Sequence, residues 1–411
     1  MILKNCMYRT LLAAVALAFS SVTASAETIT VCASGCDYTS INAAISAASD
    51  GDVIQLAAET YFEGEQIDTL GKAITLRGVL DKAGEPASVL DAAESHRVLI
   101  CESGEGPETI FENLVIRNGY LPGFGTLGGG VRVVDSDPSF LKCDFKNNQA
   151  WYCGGITMSG SSSSIVRCSF ENNSGEQGGG ALSEDGSPSF IDCVFIDNAA
   201  ANGGGLWIDG GSPTVVGCSF FGNSASNLGG VLYIRQCCSD TDASLVDCHF
   251  LGNSARLGGA AYVLENSPSF EQCRFESNVA ADQGGGMHNR RSSPTLTDCT
   301  FTSNEADQGG GIFNVASSFP ILSASSVCDN APDQIAGSWG DGGGNCIANS
   351  CNACCPGDLD QNGEVDASDL GLLIAAWNTD GSIVDGSDIN GDGVVSAADL
   401  GLLIGAWGPC R

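Results

Sequence analysis

Apolar and polar residues alternate in short bursts along the middle of this chain, and the bursts recur at a nearly constant spacing of about 25 residues, the range in which a supersecondary unit stacks on itself. Seven copies of Cys-x-Phe-x-x-Asn mark the rhythm: Cys143-Phe145-Asn148, Cys168-Phe170-Asn173, Cys193-Phe195-Asn198, Cys218-Phe220-Asn223, Cys248-Phe250-Asn253, Cys273-Phe275-Asn278 and Cys299-Phe301-Asn304. A glycine pair closed by an apolar residue follows each copy, from Gly154-Gly155-Ile156 to Gly310-Gly311-Ile312. Alternation with period two marks short strands with one buried face. Helical spacing is absent from the repeats, and glycine runs and Ser-Pro pairs such as Ser187-Pro188 cut each unit into short pieces. Three strands and three turns per unit describe one rung of a right-handed parallel β-helix, an all-β solenoid. Stacked rungs about 4.8 Å apart would turn identical positions into ladders. Asn suits a buried ladder because its side chain both donates and accepts, and the glycines suit a turn with positive φ.

The pattern also divides the chain. Residues 27–109 read as a cap and first rungs, with a short capping helix near Tyr38–Ile45 and strands at Gly51–Leu56 and Lys72–Gly78. Residues 110–345 are the repeats, including a degenerate rung in which Ile110, Asn113, Val115 and Asn118 keep the offsets of Phe140, Cys143, Phe145 and Asn148. An insertion within Arg235–Ala243, carrying Cys237-Cys238, lengthens one rung and becomes a loop. A Cys-rich linker, 346–355, precedes a module at 356–411. Residues 1–26 read as a signal peptide: Lys4 and Arg9, an apolar stretch from Leu11 to Val22, and the small-residue site Ala24-Ser25-Ala26. No other stretch is long and apolar enough to span a bilayer.

The C-terminal module holds the most specific chemical pattern. Asp358, Asp360, Asn362, Glu364, Asp366 and Asp369 recur as Asp388, Asn390, Asp392, Val394, Ser396 and Asp399. Oxygen ligands at loop positions 1, 3, 5, 9 and 12, a carbonyl at 7 and Gly at 6 are the calcium-loop arrangement. Hard oxygen donors favour Ca2+ over transition metals. Each loop runs into an amphipathic helix with apolar residues at Leu370, Leu373, Ile374, Trp377 and at Leu400, Leu403, Ile404, Trp407. The segments before the loops cannot supply the incoming helix of a full EF-hand.

Three resemblances follow from these residues. The Phe-x-x-Asn and Gly-Gly-apolar repeat resembles that of the chlamydial polymorphic outer-membrane proteins, over about residues 110–330. It implies a secreted coil with an adhesive or scaffold role, without the outer-membrane barrel by which that family anchors itself. The opening resembles pectin-lyase-like β-helix proteins. The duplicated loop-helix resembles a type I dockerin, which implies calcium binding and a cohesin partner. Specificity in that family lies largely at loop positions 10 and 11, here Ala367-Ser368 and Ala397-Ala398, so the choice of cohesin stays open. Docking of the Trp377 and Trp407 face onto the last rung would instead make the module an end cap.

A net charge of −32 excludes a protein that tracks nucleic-acid phosphates and fits an acidic, calcium-rich exterior. Of 20 Cys, Cys6 leaves with the signal. Export permits disulfides, for which Cys32 with Cys36, and Cys346, Cys351, Cys354, Cys355 and Cys410, form the pool, with a Cys355–Cys410 clasp expected across the module. Zinc at Cys351, Cys354 and Cys355 is the competing reading. The ladder cysteines read as small buried hydrophobes. Counted from the last glycine, one outward column brings Glu184 and Asp209 to neighbouring rungs, with Asp185 beside them and Arg235 one rung on. Like charges that close shift one pKa or hold a cation, and carboxylates with an Arg are what a calcium-assisted uronate lyase requires. Solvated turn residues are the simpler account. His96, His249 and His288 fall in unrelated columns; Leu182, Trp207 and Leu232 share one, as core or as a sugar-stacking strip. The expectation is a secreted or cell-surface β-helix that binds or scaffolds, attached through a calcium-dependent dockerin, with polysaccharide as a further candidate partner. The alternative is a dockerin-borne polysaccharide lyase or glycoside hydrolase using Glu184, Asp209 and Arg235.

Overall fold

The computed structural model describes residues 26–235, 243–351, 355–360, 362, 364–384 and 386–409. Residues 1–25 of the expected signal peptide, Cys237-Cys238, Cys354, Gly363 and Cys410 lie outside the described residues.

The chain winds into a right-handed coil of about 12 turns, with all strands of the coil parallel. Three long sheets form its walls. The first has thirteen strands, from Thr28–Val31 to Gly340–Asp341; the second has twelve, from Thr60–Tyr61 to Cys346–Ala348; the third has eleven, from Ile67–Asp68 to Ile335–Ala336. The Cys-x-Phe strands build the second sheet, and the strands after the glycines build the third. A fourth, shorter sheet of four strands, Ala199–Asn202, Ser224–Leu228, Ser254–Leu257 and Val279–Gln283, follows the Asn column in the central rungs.

The interior is made of ladders. The rings of Phe145, Phe170, Phe195, Phe220, Phe250, Phe275 and Phe301 stack with centroids 4.3–4.9 Å apart. The seven ladder cysteines are buried and free, each thiol directed at a main-chain carbonyl, as Cys193 Sγ is to Ile165 O at 3.4 Å. The Asn column is wholly buried. Each Asn Nδ2 donates to the next Asn Oδ1 and to a Phe carbonyl or its counterpart one rung back, and the series continues past Asn304 to Asn330 and Gln334.

At the other end the ladder starts at Asn148, whose Oδ1 accepts from Gly119 N. Phe111 pairs with Phe140 and Ile116 with Phe145, so the degenerate rung lies one residue away from the register expected through Ile110, Asn113, Val115 and Asn118. With a side-chain period of two, that slip exchanges the faces. Phe111 and Ile116 fill the core, and Asn118 donates to Asp91 instead. The glycines divide their duties. Positive φ falls on the glycine before most of the quoted pairs, as at Gly178 (φ 67°) and Gly203 (φ 62°). Within a pair the constraint is room: a Cβ on Gly179 would lie 2.5 Å from Gly204 O, and one on Gly180 would lie 2.7 Å from Gly205 O.

Helix α1, Ile41–Ala47, is N-capped by Ser40 and buries Ile41, Ala44 and Ile45 against the first strands. Beyond the coil, helices α2 (Ala367–Ala375) and α3 (Ala397–Gly405) each begin with a capping box, at Asp366/Asp369 and Ser396/Asp399. They share a small core of Val365, Leu373, Ala376, Val395 and Leu403, onto which Trp377 packs. The apolar faces are narrower than their spacing suggested, since Ile374, Ile404 and Trp407 are all at least half exposed. Trp377 is thus committed to the module's own core and Trp407 faces solvent, which does not support docking of that face on the last rung.

Cys32–Cys36 is a disulfide, as expected. Cys351 pairs with Cys328, a residue outside the anticipated pool, because the rung that carries Cys328 brings the start of the linker alongside it. Cys346 and Cys355 are disulfide-bonded as well. Cys351 and Cys355 therefore offer no thiolate, and the zinc reading fails.

Candidate functional site

Glu184 and Asp209 are register partners on adjacent strands of the third sheet, Ala181–Glu184 and Leu206–Asp209. Arg235 is the next partner in that column, directly opposite Asp209, not in the neighbouring column as counting from the last glycine implied. Its rung reads Gly229-Gly230-Val231, with Val where most others have a third glycine, so the count slips by one. The same slip places Tyr233, and not Leu232, beside Trp207.

The carboxylates differ in environment. Asp209 is 5% exposed and forms an ion pair with Arg235, whose guanidinium also lies 5.1 Å from the Trp207 ring centroid. Glu184 faces solvent and accepts a hydrogen bond from Ser159 Oγ at 3.0 Å. Asp185 occupies the left-handed turn that follows, at φ 50°. Asp209 and Arg235 thus answer each other's charge, and Glu184 is the carboxylate turned to solvent.

Trp207 belongs neither to the coil interior nor to an open strip. It lies on the outer face of the third sheet in a column with Tyr233, Tyr262, His288 and Phe313, with successive centroids 4.3–5.6 Å apart. Leu228 and Leu257, from the fourth sheet, pack over the column and make a second hydrophobic core outside the first. His288 is a member of it, which the sequence columns did not reveal. Burial pushes its pKa down to about 4, and its Nε2 lies 3.3 Å from Gln283 Oε1. His249 is on the second sheet, paired with Glu276 at 3.2 Å.

The two loops of the C-terminal module fold alike. Asp358, Asp360 and Asp369 bring carboxylate oxygens within 4.8 Å of one another, the one such group of His, Cys, Asp or Glu among the described residues. Asp369 is wholly buried; its Oδ1 accepts from Leu359 N at 2.6 Å and Asp360 N at 3.1 Å, and its Oδ2 from Asp366 N at 2.8 Å. Asn362 N donates to Asp358 Oδ1, curling the loop around the cluster. In the second loop Asp399 accepts from Asn390 N and Ser396 N, and Asp388 accepts from Asp392 N and Gly393 N. Burial works to raise the Asp399 pKa, but the amides of Asn390 and Ser396 outweigh it and hold the carboxyl below its usual range. Asp366 and Ser396 each spend a side-chain oxygen on a helix N-terminus, accepting from Ser368 N and Ala398 N. Glu364 and Val394 stand at position 7, where the main-chain carbonyl is the donor. Converging carboxylate oxygens with no sulfur or imidazole among them suit a hard divalent cation.

Residues 95–238 match the family model for a right handed beta helix region, and residues 356–406 match that for a dockerin type I domain. Among solved structures, a pectin methylesterase from carrot is similar over 72% of this chain and 82% of its own, at 12% identity and a TM-score of 0.33. A pectin methylesterase from Aspergillus niger is similar over 80% of this chain and 91% of its own, at 13% identity and a TM-score of 0.28. No curated protein matches the chain.

Proposed function

We propose that this is an exported protein whose C-terminal module, 356–411, takes up calcium in both loops and so binds a cohesin-bearing partner. The coil at 27–345 is the binding or structural element held there, and 346–355 joins the two. The observation that carries the reading is the Asp358–Asp360–Asp369 cluster at the mouth of a loop-helix unit that occurs twice. Calcium would be held by Asp358, Asp360, Asn362, Asp366 and Asp369 with the Glu364 carbonyl, and by Asp388, Asn390, Asp392, Ser396 and Asp399 with the Val394 carbonyl. Its charge would relieve the repulsion of carboxylates packed together and fix the angle at which α2 and α3 leave their loops.

A second reading makes the coil a polysaccharide lyase or glycoside hydrolase, with Glu184, Asp209 and Arg235 in one column as its site. The Asp209–Arg235 ion pair weighs against it, because it engages the base candidate with the cation that should meet the substrate.

One experiment separates them. The mature chain is titrated with calcium, applied to immobilised type I cohesins with and without chelator, and incubated with acidic and neutral polysaccharides. Calcium-dependent capture by a cohesin, with neither new reducing ends nor unsaturated uronates, supports the main reading. Product that disappears in Glu184→Ala or Asp209→Ala replaces it with the enzyme.

A further inference from the structure

We infer that the coil carries a saccharide-binding strip along the flank of the fourth sheet, anchored by Phe124 and Trp151. The strip starts at an extra loop. Tyr120–Leu121 pairs with Gln149–Ala150; past Leu121 the chain bulges outward and returns at Thr126, whose hydroxyl shares its one proton between Leu121 O at 2.5 Å and Gly123 O at 2.7 Å. The main chain of Trp151 is pinned to this loop, with its N–H donating to Leu121 O at 3.1 Å. Phe124 stands at the tip, 84% exposed, and its ring meets Trp151 at 5.0 Å between centroids and 55° between planes. A well-fixed loop that presents an aromatic pair to water gains nothing for the core. Such a pair is a platform awaiting a partner with an apolar face and a polar rim.

What lies beyond the platform identifies that partner. One rung on, Glu176 N donates to Trp151 O, and the exposed Glu176 side chain follows Trp151 along the coil axis. Asn227 Nδ2 then donates to Asn202 Oδ1 at 3.2 Å, and the Arg256 guanidinium donates to Asn227 Oδ1 at 3.0 Å and to Asp282 at 3.1 Å. Planar amide, guanidinium and carboxylate groups, from Asn202 to Asp282, are thereby linked over three rung steps, about 14 Å at the usual strand spacing. Pyranose rings stack their C–H faces on aromatic rings and offer hydroxyls to such groups, so an extended glycan running along the axis meets both requirements.

Charge chooses the class of glycan. The chain carries −32 overall, Glu176 adds a local negative charge, and the Arg256 cation is answered by Asp282. A polyuronate or an anionic lipid surface would be repelled, and a neutral polysaccharide would not.

This inference rests on the binding role proposed above for the coil, and its test is read separately from attachment. The full mature chain is run in native gels containing hydroxyethylcellulose, glucomannan, arabinoxylan or polygalacturonate, beside Phe124→Ala and Trp151→Ala. Retardation by at least one neutral polymer is expected, about tenfold weaker in Trp151→Ala, the scale of one lost aromatic contact. Phe124→Ala changes a side chain already in water, so it reports on binding without threatening the fold. Absence of retardation in every neutral gel, retardation by polygalacturonate alone, or equal behaviour of both variants and the parent overturns the strip. Cohesin capture of the same samples shows whether the attachment reading stands or falls independently.

Discussion

The side-chain amide and the backbone N–H of Asn173 both donate to one atom, Oδ1 of Asn198, each at 3.0 Å. Asn198 passes the arrangement on, donating its own Nδ2 to Phe170 O at 2.9 Å. Replacing Asn198 with Ala therefore strips two buried donors and one buried carbonyl of their partners at once. With each unsatisfied group costing about 1–3 kcal/mol, Asn198→Ala should destabilise the coil by roughly 3 kcal/mol or more. Urea denaturation followed by far-UV circular dichroism measures it, and a loss below about 1 kcal/mol would mean the ladder is not under such strain of satisfaction.

The Asn, Phe and Cys ladders were legible in the sequence because stacking forces one residue type to solve the same packing problem in every rung. What the sequence concealed are places where a rung departs by one residue. Val231, standing where a third glycine is usual, moves Arg235 opposite Asp209 and Tyr233 beside Trp207. Ile110 and Val115 look like core positions by offset, yet Phe111 and Ile116 occupy them. Phe124 carries no periodic signal at all, being in an insertion, and the Cys328–Cys351 bond joins the rung of Cys328 to the segment read as linker, whose Cys346–Ala348 strand pairs with that rung. The convergence of Asp358, Asp360 and Asp369 was legible because those residues are local in sequence, whereas the outer aromatic column needs the fourth sheet to cover it.

The ladder thiols should be unreactive in the folded protein. Burial, with a neighbouring thiol one rung away, pushes Cys168 and Cys193 well above the usual thiol range. At about pH 8 a water-soluble disulfide reagent should label none of them until denaturant is added, because the thiolate is the nucleophile. Cys193→Ser should keep the fold, as Ser325 already continues the ladder by accepting from Cys299 N at 3.1 Å. Rapid labelling of Cys193 without unfolding would refute the sealed interior.

His288 makes stability depend on pH. Its pKa is about 4 in the fold, against 6.5 for an imidazole in water, because burial disfavours the imidazolium. The unfolded chain therefore binds a proton that the folded chain refuses. This group's destabilising contribution is absent above about pH 6.5, grows as pH falls and saturates near pH 4 at about 3 kcal/mol. His288→Phe, stacked between Tyr262 and Phe313, should lose that component. The difference in unfolding free energy between parent and variant, measured at neutral pH and near pH 4.5, checks it; identical pH profiles would show that His288 is protonated in the fold.

Asp369 is where the proposed calcium would meet helix α2, since its two oxygens already gather the amides of Leu359, Asp360 and Asp366 while facing Asp358 and Asp360. Removing it takes away a cation ligand and the capping box of the helix together. Asp369→Ala should abolish binding in the first loop and leave calorimetry with about one calcium per chain in place of two. Asp369→Asn keeps the shape and part of the amide acceptance but removes one of the three clustered carboxylate charges, so it should weaken binding without unfolding the loop. Because α2 and α3 share a core that includes no residue of the coil, chelator or Asp369→Ala should lower the helical signal and leave the β-sheet transition unchanged. Two calcium ions still bound by Asp369→Ala would remove Asp369 from the ligands, and a coil transition that moves with calcium would mean that metal and coil are coupled through contacts other than these.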